Sequence, residues 1–288
     1  MIRDLIINSP WFIYLCIGLL SLCVGSLLNV IIYRLPLMLQ REWKEQCYEL
    51  LAIENKENTP SINLFFPRSF CPNCKTLVKS WQNIPIISYI LLRGACYECK
   101  TPIPIRYPLI ELFTFLISLY ASWYFGFTPQ LLFVLLALWL LIPLFFIDLE
   151  HQLLPDSITL SLLWLGLIAN THSLFIDLPN AVLSAAGAYL SLWLFIKIFY
   201  LITGKIGMGN GDFKLFAAFG AWFGWLSLPF IILLSSLCGA LIGLVYLKIN
   251  SKSRDTTIPF GPFLCIAGVI YIFWGPPLIH WYLQFFVI

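Results

Sequence analysis

The chain is poor in charge. Its 288 residues hold 17 Lys and Arg and 14 Asp and Glu, 11% in all, where a soluble domain of this size carries about 25%. Hydrophobic residues make up 60% and the mean hydropathy is +0.87. Such a chain cannot cover itself with a wetted surface, so a lipid bilayer is its expected solvent. Other features are missing too. There is no low-complexity tract and no evident internal repeat. There is no G-x-G-x-x-G of a dinucleotide-type fold. Nothing calls for nucleic acid as a partner.

Apolar runs are abundant. Crossing about 30 Å of hydrocarbon takes about 20 residues. Eight runs qualify or nearly so: 11–33, 107–125, 130–147, 157–173, 180–203, 213–227, 229–248 and 260–284. The fold class read from them is an all-α polytopic membrane protein of about eight spans. The first run reads as a retained span, because it is long and no small-x-small cleavage site follows it. Positive charge follows it (Arg34, Arg41, Lys44), with only Arg3 before it. The positive-inside rule then places the N-terminus outside and residue 34 in the cytoplasm. Alternating the spans from there puts 16 of the 17 basic residues inside, Arg3 being the exception. Asp148, Asp156 and Asp212 all fall at the cytoplasmic face.

Three domains follow: a first transmembrane helix over 1–33, a cytoplasmic domain over 34–106, and a membrane-embedded domain over 107–288. Residues 41–58 read as a charged helix. Residues 59–106 carry Cys71-Pro-Asn-Cys74 and Cys96-Tyr-Glu-Cys99. Each CxxC presents two thiolates on one turn, and two such turns make a tetrahedral sulfur site suited to Zn2+. A reducing compartment argues against disulfides there. Four protein ligands leave no place for water, so the metal is structural, in a small zinc-ribbon-like module that needs such a staple. Cys16, Cys23, Cys47, Cys238 and Cys265 read as apolar filler.

Charge at a membrane edge is costly and marks function by default. Asp148 ends the third span in Ile147-Asp148-Leu-Glu-His. Asp212 opens the sixth in Gly207-Met-Gly-Asn-Gly211-Asp212, where three glycines allow close backbone approach and a helix N-terminus favours a carboxylate. Two neighbouring carboxylates share a proton, so one can activate water while the other polarises a carbonyl. Pro155-Asp156-Ser157 reads as a helix start capped by Asp156. Glu150 reads as a solvated loop residue, and His151 as interfacial with a proton relay as the other reading. Ser184–Ala188 gives the fifth span a small-residue face for close packing.

These blocks together resemble the bacterial type IV prepilin peptidases, bifunctional leader peptidases and N-methyltransferases. The likeness runs nearly end to end. It rests on Gly25 to Pro36 with Asn29 and Arg34, the double CxxC, Ser80-Trp81, Ile84 to Tyr89, Leu92-Arg93-Gly94, Arg106-Tyr107-Pro108 with Glu111, Asp148 ahead of Leu154-Pro155-Asp156, and the GxGD motif as Gly209-Asn210-Gly211-Asp212. The resemblance implies catalysis by Asp148 and Asp212 and a zinc site at Cys71, Cys74, Cys96 and Cys99. Its implied substrates are type IV prepilins and type II secretion pseudopilins, cut after a glycine at the cytoplasmic face of the inner membrane. It further implies methylation of the new N-terminus from S-adenosylmethionine, whose binding residues the sequence does not assign; Arg93, Gly94 and Glu111 are candidates only by lying in matching blocks. The acidic run Glu42–Glu57 reads as a solvated face, with attraction of a basic leader as the other reading. A peptidase that does not methylate and a proton-coupled transporter are the alternatives. The transporter suits mid-membrane carboxylates and broken helices better than two aspartates at one face.

Overall fold

The computed structural model describes residues 10–52, 63–205, 207–250 and 258–286. Among these the fold is all-helical. There is no β-strand, only two single antiparallel bridges, Phe70 with Leu77 and Ala95 with Pro102. The chain divides into two compact units, Met1–Trp123 and Tyr124–Ile288.

The first unit contains α1 (Pro10–Leu50), a short α2 (Ile87–Leu91) and most of α3 (Arg106–Phe125). α1 and α3 run side by side, and glycines let them approach. A Cβ on Gly25 would lie 2.8 Å from Glu111 Cα, and one on Gly18 would lie 2.8 Å from the Phe115 ring. Polar groups fasten the end of this seam: Asn29 Nδ2 donates to Tyr107 O at 3.0 Å. α1 does not stop at residue 33 but continues through Arg34 and Pro36 to Leu50, because the charged stretch is rich in helix formers. Arg34 is buried and donates to the carbonyls of Asn63, Leu64 and Pro67, fixing the return of the chain against α1. The exposed Arg41–Glu45 pair at 2.8 Å fits the solvated reading of this stretch. The rest of the helix expected to 58, including Glu54, Lys56 and Glu57, lies outside the described residues, as do Arg3, Lys252 and Arg254.

The second unit holds α4 (Pro129–His151), α5 (Asp156–Asn170), α6 (Leu178–Thr203), α7 (Asn210–Phe223), α8 (Ser227–Asn250) and α9 (Gly261–Phe286). Six helices, α1, α3, α4, α6, α8 and α9, are long and apolar enough to cross a membrane. The two short runs expected from the sequence are α5 and α7, with 15 and 14 residues, each spanning only about 21–23 Å at 1.5 Å per residue.

α7 is enclosed rather than lipid-facing. Asp212, Phe213 and every residue from Leu215 to Trp222 are buried. α5 and α6 pack closely on it through small residues. The buried face of α6 includes Ala181, Ser184, Ala185 and Ala188, the small-residue face expected from the sequence. A Cβ on Gly220 would lie 2.7 Å from Ser184 O, and Ser184 Oγ donates to Gly220 O at 2.8 Å. Trp222 Nε1 donates to Leu162 O at 2.8 Å. Asn170, fully buried at the end of α5, donates to Ala221 O and Trp222 O and accepts from the N–H groups of Phe175 and Ile176. One amide thus closes both the end of α7 and the turn leading to α6. Asn170→Ala would orphan these groups. We expect a loss of about 3 kcal/mol, read as a lowered thermal unfolding midpoint of the purified protein.

Candidate active site

In the second unit, α4 ends in a left-handed cap. Gln152 has φ 54° and its N–H donates to Asp148 O at 2.9 Å. Asp148 therefore stands on the last turn of α4, with Glu150 and His151 beside it in the helix rather than in a loop. Asp212 is the third residue of α7, and its N–H donates to Gly209 O at 3.3 Å. Both carboxylates are buried, with 5% and 7% of their surface exposed. Each receives one backbone hydrogen bond, Asp148 from Gly261 and Asp212 from Gly209. Their charges act on one another, and both act on the buried Cys265 thiol. One oxygen of each, Asp148 Oδ2 and Asp212 Oδ1, is buried with no hydrogen-bond partner.

The surroundings are tight. A Cβ on Gly261 would lie 2.5 Å from Asp148 Oδ2, and one on Gly211 would lie 2.7 Å from Leu154 Cβ. Leu154 and Gly261 close the site from the α4–α5 connection and the start of α9. Sequence reading missed Gly261 and the placement of Cys265. The available signal was Gly261-Pro262, a helix start at the same end of its span as the two aspartates.

Asp156 does not cap α5. The N-cap is Pro155 and makes no side-chain cap bond. Asp156 accepts instead from Lys214 Nζ, at 2.6 and 2.7 Å to its two oxygens. Lys214 follows Asp212 by two residues, so this pair ties the start of α5 to the start of α7. A cation within reach outcompetes the weaker cap bond. Being exposed, the pair contributes at most about 1 kcal/mol and acts as an orienting tie.

In the first unit, the sulfurs of Cys71, Cys74, Cys96 and Cys99 lie within 4.8 Å of one another. The Cys71–Cys99 and Cys74–Cys96 separations are 3.7 and 3.9 Å. A tetrahedral ion bonded to four sulfurs at about 2.3 Å holds them about 3.8 Å apart, so the cluster fits Zn2+. The two knuckles are alike. Cys71 N and Cys96 N donate to Thr76 O and Thr101 O, Lys75 N and Lys100 N donate back to Cys71 O and Cys96 O, and Lys75 and Lys100 share φ near 58°. The sequence Cys-x-x-Cys-Lys-Thr thus occurs twice, a short repeat hidden by the unrelated residues between its copies. The threonine hydroxyls support the thiolates: Thr101, 3.1 Å from Cys99 Sγ, brings that thiol down to about 5, and Thr76 lowers Cys74.

The glutamate and glycine of the matching blocks have structural tasks. Glu111 Oε2 accepts from Ile86 N at 2.8 Å. Gly94 has φ 67°, and a Cβ there would lie 2.9 Å from the Tyr89 hydroxyl.

Comparison with known proteins agrees with the motifs. A family model described as Bacterial Peptidase A24 N-terminal domain matches residues 19–125, and one described as Type IV leader peptidase family matches 134–244. The chain belongs to the type IV leader peptidase family. Three relatives are each named prepilin leader peptidase/N-methyltransferase. That of Legionella pneumophila is 66% identical over 287 residues, covering 100% of both chains. That of Pseudomonas aeruginosa is 49% identical over 282 residues, covering 98% of this chain and 97% of the relative. That of Aeromonas hydrophila is 44% identical over 288 residues, covering 100% and 99%. No solved structure shows a significant match. Asp148 and Asp212 stand on separate helices, each within one turn of a helix end, an arrangement that suits a mid-membrane relay poorly.

The Cys99 environment has a direct readout. In metal-stripped protein, alkylation of Cys99 should persist down to about pH 5, whereas an ordinary thiol near 8.5 stops reacting well above that. A Cys99 that titrates like the other cysteines would contradict the role given to Thr101.

Proposed function

We propose that the protein removes the basic leader of type IV prepilins and pseudopilins in the bacterial inner membrane and then methylates the new N-terminus. The observation that carries the cleavage step is the pair of buried carboxylates Asp148 and Asp212, each with an unpartnered oxygen. A buried unpartnered acceptor is costly, and here two of them stand ready for a water and a peptide carbonyl.

The chemistry is general acid–base hydrolysis. Two close carboxylates hold one proton between them. The ionised member takes a proton from water while the protonated member donates to the carbonyl oxygen as the hydroxide equivalent adds. Collapse of the tetrahedral intermediate returns a proton to the leaving amine, and no covalent enzyme intermediate forms. The pair titrates as a unit. Leu154, Gly211 and Gly261 keep solvent away. Gly261 N–H and Gly209 N–H orient the two carboxylates, and Lys214–Asp156 holds the start of α7 in register.

S-adenosylmethionine would supply the methyl group, which passes from its sulfonium to the neutral α-amine of the shortened substrate. The described residues contain no strand-and-glycine-loop site for it, so its binding residues are unassigned. Zn2+ at Cys71, Cys74, Cys96 and Cys99 would be structural, since all four positions are filled by thiolates. The charge distribution supports a periplasmic N-terminus and an active site facing the cytoplasm, with 34–106 on that side and 107–288 carrying the peptidase.

Purified protein, a prepilin and labelled S-adenosylmethionine test both activities separately. Asp148→Asn and Asp212→Asn should each slow leader removal by more than about 10²-fold while the fold persists. Normal cleavage by either variant would end the aspartate-pair mechanism. Cleavage by the unaltered protein without label transfer would favour a peptidase that does not methylate. Metal analysis should find about one zinc per chain, lost in Cys71→Ser; stable, active protein without metal would remove the zinc assignment.

A further inference from the structure

The module between α1 and α3 carries an exposed apolar strip that neither the aspartate pair nor the four-cysteine cluster uses. Ile84 and Ile87 are exposed, and Ile90 and Leu91 are each 67% exposed. They belong to one short segment, Ile84–Leu92, folded around α2. In a module surrounded by water this would be an unfavourable surface.

Three observations set the level of this segment. Glu111 Oε2 accepts from Ile86 N at 2.8 Å. Glu111 lies five residues into α3, about 7–8 Å along the axis from Arg106. α3 has 20 residues, about 30 Å, which matches the hydrocarbon thickness. With the carboxylate leaning back toward Arg106, as helical side chains do, Ile86 is held near the headgroup boundary at that end of α3. Ile86 also has φ 59°, a conformation costly for a β-branched residue and kept only where surrounding structure enforces it.

The backbone is prepared for that depth. Lipid tolerates irregular backbone only when its polar groups are satisfied internally. Ile87 N donates to Pro85 O, Ser88 N to Ile84 O, Ile90 N to Ile86 O, Leu92 N to Ser88 O, Arg93 N to Ile90 O and Gly94 N to Tyr89 O. Around the strip the chemistry changes to that of a headgroup layer. Trp81 and Tyr97 meet edge-to-face at 5.8 Å, and the ammonium groups of Lys79 and Lys100 lie 5.7 and 5.5 Å from the Tyr97 ring. From residue 63 to 105 there are five basic residues, Arg68, Lys75, Lys79, Arg93 and Lys100, and one acidic residue, Glu98. Tryptophan and tyrosine favour the interface, and a basic rim suits anionic phospholipid.

We propose that Ile84–Leu92 is an interfacial wedge. Its Ile84, Ile87, Ile90 and Leu91 side chains sit in the acyl region of the leaflet at the Arg106 end of α3, and the lysine-aromatic rim rests on anionic headgroups. The metal-stapled module thereby lies on the bilayer instead of standing off in water.

Depth measurement tests this in the full chain. Nitroxide labels are placed at Ile87→Cys or Ile90→Cys, with Glu49→Cys, exposed on the polar extension of α1, as the aqueous control. Cys16, Cys23, Cys47, Cys238 and Cys265 are replaced and the four-cysteine cluster is kept loaded with zinc, whose content checks the fold. In nanodiscs of phosphatidylethanolamine and phosphatidylglycerol, the Ile87 and Ile90 labels should collide with oxygen several-fold more than with a water-soluble nickel chelate, at a depth of about 5–10 Å. The control should show the reverse. Nickel access at Ile87 and Ile90 equal to the control would overturn the wedge. So would labels shielded only after a prepilin is added, which would give the strip to a protein substrate instead. Benzoylphenylalanine at Ile90 in the chain with all nine cysteines gives an independent reading: photocrosslinks to phospholipid are expected, and crosslinks to protein alone would refute lipid as the occupant.

Discussion

The enclosure of α7 by α5 and α6 is the constraint on which the aspartate site depends. A helix of 14 residues is too short to cross hydrocarbon unaided, but α7 meets neighbouring helices instead of lipid. Its short length brings its first turn, and Asp212 with it, to the level of Asp148 on the last turn of α4. The approach is made close by small residues: Gly220 against Ser184 and Ala185, and Gly166 in α5 against the Trp222 ring. Side-chain packing and interhelical hydrogen bonds drive association in a membrane, and α7 receives both, from Trp222 Nε1 to Leu162 O and from Ser184 Oγ to Gly220 O.

Against that background the unpartnered aspartate oxygens carry meaning. Elsewhere in the second unit, among the described residues, buried polar groups are mostly put to use, Asn180 Oδ1 being the exception. Asn170 spends both ends of its amide on four backbone groups, and Thr159 bonds back to Pro155 O. A fold that closes such groups internally, yet leaves Asp148 Oδ2 and Asp212 Oδ1 open, keeps unsatisfied acceptors where a reacting group would complete them. Local rules fail at functional sites more than elsewhere.

Much of this was legible in the sequence because membrane spans write themselves as long apolar runs. All eight runs correspond to helices, and the small-residue stretch Ser184–Ala188 forms the face that meets α7. What was not legible is where partners come from distant parts of the chain. Asp156 reads as a cap because Pro155-Asp156-Ser157 is a local pattern. Lys214 is 58 residues away, and only the packing of α5 on α7 brings it within 2.6 Å. Gly261 is likewise silent until α9 is placed beside Asp148. The apolar run ends at residue 33 while α1 continues to Leu50, because hydropathy falls at Arg34 while helix propensity does not. A change of solvent along a helix is not a break in its hydrogen bonding.

The same reasoning applies to buried polar residues in the first unit, which tie the module to its helices. Arg34, on α1, is buried and donates to three carbonyls of the returning chain. Glu111 lies within a span yet accepts from Ile86. A charged side chain in such a place costs several kcal/mol unless it is hydrogen-bonded, so each is stable only while the module is docked against its helix. The four-cysteine cluster fixes the inside of the module, and Arg34 and Glu111 fix its position relative to α1 and α3. Removal of the metal would therefore loosen the knuckles without releasing these anchors, whereas loss of either anchor would detach a module whose knuckles are intact.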